Sequence, residues 1–110
     1  NLIITTDHGT INVETPSKII GDRDSSSNIR YKTGRRLKSD DKNIYMENQP
    51  DKIGLPSINL SSSYVFAKSN QYLIYPSNYN HFVKYYKNTY QHGGISLQEM
   101  CIPFSFFSPK

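Results

Sequence analysis

The sequence is poor in cysteine and in long apolar runs. Cys101 is its single cysteine. That excludes an internal disulfide framework and any cysteine-rich zinc module, and it fits a reducing compartment. No apolar run approaches the roughly 18–20 residues of a membrane span, so no membrane insertion is expected. A basic-then-apolar leader with a small-residue cleavage site is also missing, and a cytoplasmic location is the expectation. Gly-x-Ser-x-Gly, a Gly-Lys-Ser phosphate loop and His-Glu-x-x-His do not occur, which removes three common signatures of hydrolytic and nucleotide sites. No internal repeat is visible. Apolar residues make up 35% of 110 positions, a thin fraction that suits one domain at most. The chain opens on Asn1 rather than Met and runs straight into an apolar strand pattern, so it is expected to be a piece of a larger protein.

What is present reads as short strands with a few helical turns. Leu2 to Thr5 is an apolar run of the kind that fills the middle of a parallel sheet covered on both faces. Asp7-His8-Gly9 follows as a turn, and Ile11 to Val13 alternates like a short return strand. Pro16 to Arg36 lacks periodicity and carries Gly21, Gly34 and Ser25 to Ser27, so it reads as a long ordered excursion. Ile44 to Met46 is a candidate strand, and Gly54-Leu55-Pro56 is punctuation. Ser63 to Ala67 and Gln71 to Tyr75 are β-branched and aromatic runs joined by Lys68-Ser69-Asn70, the pattern of a hairpin. Phe82, Tyr85 and Tyr86 mark the apolar face of a helix between Asn80 and Asn88. Ser96 and Glu99 match a capping box opening a very short helix. Cys101 to Phe107 closes the chain as a strand, with Cys101 expected in the core. Strands, a hairpin and short helices in this order predict an α/β fold.

Three sets of residues can carry chemistry. Asp7 and His8 follow an apolar strand directly, where α/β proteins place their sites. Neighbouring ligands reach one zinc or manganese ion only from a turn, because on a strand they point to opposite faces. The plainer reading is an Asp-His-Gly turn with an Asx hydrogen bond. His92-Gly93-Gly94 allows close backbone approach to an ion, or else is a glycine helix stop. His81 opens the aromatic helix and reads as a surface or capping histidine. The third set is basic. Lys and Arg outnumber Asp and Glu by 13 to 9, with Arg30, Lys32, Arg35, Arg36, Lys38 and Lys42 close together. This block suits either a polyanion or a solvated loop.

Ile3 to Gly9 and Tyr90 to Pro103 resemble the two C-terminal signatures of the PglZ family, in the alkaline-phosphatase superfamily of metal-dependent phosphoester enzymes. Thr15 to Lys18, Gly21 to Arg23, Arg30 to Lys32, Gly54 to Pro56, Ser61 to Tyr64 and Tyr79 to Phe82 extend the resemblance to the effector part of response regulators tied to type IX secretion. The resemblance implies the C-terminal portion, residues 1–110, of an alkaline-phosphatase-like α/β/α sandwich, with a hairpin and a loop excursion. It implies two zinc ions, with Asp7 and His8 on one and His92 on the other. The nucleophile, the remaining ligands and a receiver domain would lie upstream, so the chain alone is expected to be inactive. A phosphate ester, an oligonucleotide among the candidates, would be the substrate. Arg23, Arg30, Lys32 and Arg35 are proposed phosphate contacts from charge, and Glu99 is either an outer partner of a zinc-bound histidine or a cap.

The competing reading is a non-catalytic regulatory or interaction module that binds a partner such as a sigma factor or a secretion-motor component; for either reading a histidine kinase is a candidate partner and the intact protein a candidate homodimer. A stand-alone basic nucleic-acid binder rests on charge alone, with no recognised motif behind it.

Overall fold

The computed structural model describes residues 1–23 and 27–110. Its elements are β1 (Leu2–Thr5), β2 (Ile11–Val13), β3 (Thr15–Lys18), β4 (Ile20–Arg23), β5 (Tyr31–Lys38), β6 (Ile44–Glu47), a 3-10 turn (Pro50–Ile53), β7 (Ser62–Ala67), β8 (Gln71–Ile74), α1 (Tyr79–Tyr86), β9 (Thr89–Gln91), α2 (Leu97–Met100) and β10 (Phe104–Phe107).

The strands pair as nested brackets. β1 pairs with β10, β2 with β9 and β3 with β8, while the middle of the chain forms an antiparallel sheet in the order β4-β5-β7-β6. The first two bracket pairs are antiparallel and the third is parallel. This nesting positions the site. The turn between β1 and β2 must lie against the connection between β9 and β10, because Thr5 pairs with Phe104 and Ile11 with Gln91.

β8 organises the interior. All four of its residues are buried, and successive side chains point to opposite faces. Tyr72 and Ile74 join Ile11, Val13 and Ile29 in one core, on which Tyr79, Phe82 and Tyr86 of α1 pack. Leu73 joins Ile19, Leu37, Val65 and Ala67 in the other. Among the described residues β8 is therefore a strand covered on both faces, the role the sequence suggested for Leu2 to Thr5. Leu2, Ile3 and Ile4 are instead exposed in a two-stranded ribbon with β10, whose Phe104, Phe106 and Phe107 are exposed as well.

Other expectations are corrected. Of Pro16 to Arg36, where Ser25 and Ser26 of the serine run lie outside the described residues, the described part is largely strand: polar residues enter β3 and β4 because hydrogen bonds satisfy them, as Ser17 does by donating to Asp41 Oδ2 at 2.5 Å. Gly21, at φ +141, sits where the β4–β5 register shifts, with no room for a Cβ beside Arg36 O. β7 and β8 do not form a hairpin ladder. Both edges of β7 are taken by β5 and β6, so β8 turns away at Lys68–Asn70 and takes β3. Tyr85 points outward from α1 and stacks on His81. Cys101 is exposed, being the C-cap of α2 rather than part of β10. Strands dominate and the two helices are short, so the described residues do not build a three-layer α/β/α sandwich. None of their helices is long and apolar enough to cross a membrane.

Candidate metal centre

His8 and His92 meet at the rim that the nested pairing creates. Their rings stack at 3.7 Å between centroids, 10° from parallel. Each is fixed by its own backbone. Thr5 Oγ1 donates to Pro103 O at 2.8 Å and Thr6 Oγ1 to His8 O at 3.1 Å, tying the first motif to the closing segment and shaping its turn. Gly9 N donates to Glu99 O at 2.8 Å, and a Cβ on Gly9 would collide with the Gln98 carbonyl. On the other side, Asn28 Nδ2 donates to His92 O at 3.1 Å, and Gly93 turns the chain at φ +98 against the same amide.

The hydrogen bonding of His8 selects a tautomer. Nδ1 lies 2.8 Å from Gly9 O, and a carbonyl only accepts, so Nδ1 carries the proton. In the neutral ring Nε2 then presents a lone pair, 3.5 Å from Asp7 Oδ1. Two acceptors facing each other repel unless a cation lies between them: a proton that makes His8 an imidazolium, or a metal ion. Two ligands at about 2.0 Å from a tetrahedral zinc are themselves about 3.3 Å apart, close to this spacing. A carboxylate and two imidazoles on one rim are suitable zinc donors, and the residues fit such an ion in donor chemistry. Among the described residues no group of three or more His, Cys, Asp or Glu side chains is gathered tightly enough to hold a metal unaided.

The proposed phosphate contacts separate. Arg30 is fully buried. Its Nε and Nη2 donate to Glu99 at 2.7 and 3.0 Å, and Nη1 donates to Gln71 O. It is a structural cation, not a surface contact for substrate. Lys32 is also buried, with Nζ 5.0 Å from the centre of the Tyr75 ring. Arg35 is exposed and lines a cavity of about 310 Å³ with Asp22, Asn59, Ser62 and Tyr64, and neither His8 nor His92 borders it. Arg23 ends β4, and its side chain lies outside the described residues. The Glu99 carboxylate accepts no hydrogen bond from either histidine ring. It closes the capping box with Ser96 and binds Arg30. Burial pushes its carboxyl up, but the hydrogen bonds from Arg30 and Ser96 outweigh this and hold it below the ordinary value. His81 is exposed on α1 against Phe82 and Tyr85. Sequence reasoning missed Asn28 and the Arg30–Glu99 pair. The capping-box spacing was the one available signal, and it pointed to Glu99 but not to its partner.

Residues 1–106 match the family model described as the BREX system PglZ alkaline phosphatase-like domain. The chain belongs to this family. A search of the curated proteins finds no match.

Proposed function

We propose that this chain supplies Asp7, His8 and His92 to a two-zinc centre that hydrolyses phosphate esters, as the C-terminal portion of a PglZ effector domain. The observation that carries the reading is the stacked pair of histidines from opposite ends of the chain, beside a carboxylate that faces the unprotonated nitrogen of one of them. Asp7 and His8 would hold one ion, and His92 would contribute to the second. Bound divalent ions would act as Lewis acids on the phosphoryl oxygens and the leaving alkoxide. The chain's own part is orientation: Gly9 O holds the proton on His8 Nδ1, and the backbone bonds at His8 and His92 fix where the rings stand. The nucleophile and remaining ligands belong to an upstream half.

In this reading the intact protein is a cytoplasmic response regulator of the PorX type, controlling type IX secretion through a receiver domain and through partners such as a sigma factor, a histidine kinase or a motor component. The exposed apolar ribbon of β1 and β10 favours a second use, as a partner-binding face of a non-catalytic module. Zinc analysis of the intact protein, with hydrolysis of bis-p-nitrophenyl phosphate, separates the two. Stoichiometric zinc and turnover, both lost in His8→Ala and His92→Ala but kept in His81→Ala, are the expected outcome. Equal zinc in wild type and the His8 and His92 variants removes the ligand assignment.

A further inference from the structure

Glu99 is more than a helix cap. A four-residue helix needs only the reciprocal bonds between Ser96 and the third helical residue, and these can be made at the surface. Here the carboxylate is buried and receives five hydrogen bonds. Oε1 accepts from Arg30 Nε at 2.7 Å and Gly94 N at 3.0 Å. Oε2 accepts from Arg30 Nη2 at 3.0 Å, Ser96 N at 3.1 Å and Ser96 Oγ at 2.7 Å. The backbone oxygen of the same residue accepts from Gly9 N. One residue therefore grips Gly9, next to His8, through its carbonyl, and Gly94, two positions after His92, through its side chain. Burying a guanidinium with a carboxylate carries a large desolvation cost, and an apolar pair of similar volume often does as well for stability.

We infer that Glu99, locked by Arg30, is the positioning residue that sets His8 against His92. The inference rests on the metal-centre reading for its consequence, but its geometric content stands apart from it. Arg30 is itself placed by the segment that holds His92: its N–H donates to Asn28 Oδ1 at 2.7 Å, and the amide of the same Asn28 donates to His92 O. The carboxylate fits closely against Gly94, where a Cβ would stand 2.6 Å from Oε2. Neutralising Glu99 or crowding it at Gly94 moves one histidine relative to the other without touching either ring.

The test uses Glu99→Gln, with Leu37→Ala in the second core as a control that loses stability away from the rim. Two quantities are read at one pH on the intact protein, which carries the upstream half as well. The first is the upfield ring-current shift of the His8 and His92 imidazole protons in metal-free protein. The second is the affinity for zinc itself. Glu99→Gln is expected to abolish the shift and weaken zinc binding roughly 10–100-fold, while Leu37→Ala lowers the melting temperature and leaves both intact. If Glu99→Gln does not fold, Gly94→Ala replaces it with the same expected result. A folded Glu99 or Gly94 variant that keeps shift and affinity overturns the inference, as does an equal loss in Leu37→Ala. If the wild type binds no zinc, the metal reading fails, and the ring-current comparison alone decides the role of Glu99.

Discussion

At the scale of single residues, the rim depends on glycines and on one buried ion pair. Gly9→Ala places a methyl group against the Gln98 carbonyl, a collision between two backbones that no rotamer change relieves. A loss of about 1–3 kcal/mol or more is expected in urea unfolding. Gly54 sets the scale for backbone strain alone: it has φ +76 and nothing within 4 Å of a Cβ, so Gly54→Ala should cost about 1–2 kcal/mol. Removing one partner of the buried pair, as in Glu99→Ala, should cost about 3–5 kcal/mol because Arg30 is left buried and unpaired. The pH dependence has a definite sign. The Glu99 carboxyl titrates lower in the folded protein than its ordinary 4.5, so the unfolded chain binds more protons between the two values. Its contribution is complete above 4.5 and is lost as pH falls through the lower folded value. A melting curve measured from neutral to acid pH should therefore fall more steeply in wild type than in Glu99→Gln.

At the scale of elements, legibility followed composition. Ser62–Ala67 and Gln71–Ile74 are β-branched and aromatic, and both were readable as strands. Thr15–Lys18 and Ile20–Arg23 were not, because their polar side chains imitate a loop and only distant hydrogen bonds make them strands. Pairing was less legible still. Adjacent runs with a turn between them suggest a hairpin, and nothing local in Ser62–Ala67 tells that both its edges will be occupied. Apolar content also misplaced the buried strand, since Leu2–Thr5 and Gln71–Ile74 differ in what covers them rather than in hydrophobicity. The two should respond differently to truncation. Leu73→Ala opens a cavity between β8 and the second core and should cost about 2–5 kcal/mol. Ile3→Ala, at a half-exposed position, should cost well under half of that by the same measurement.

At the scale of the whole molecule, the two candidate motifs were legible as local patterns while the pairing that brings His8 and His92 together was not. Asp7-His8-Gly9 and His92-Gly93-Gly94 were singled out from residue type and position. Their contact follows from three bracket pairs that no local pattern encodes. Stability is graded in the same order. Amide hydrogen exchange should be slowest in β8 and β7, where the two cores lie, and fastest in the β1–β10 ribbon. Fast exchange in β7 and β8 beside a protected ribbon would contradict this arrangement.

The bracket pairing also has a mechanical consequence. Leu2 lies opposite Phe107 in an antiparallel ladder, so tension applied across the two outermost strands peels their hydrogen bonds one at a time instead of shearing them together. The next contacts to part, before either core is loaded, are the Thr5–Pro103 hydrogen bond and then the stacked imidazoles. Tension across β1 and β10 would therefore reach the candidate metal centre before it reaches β7 and β8.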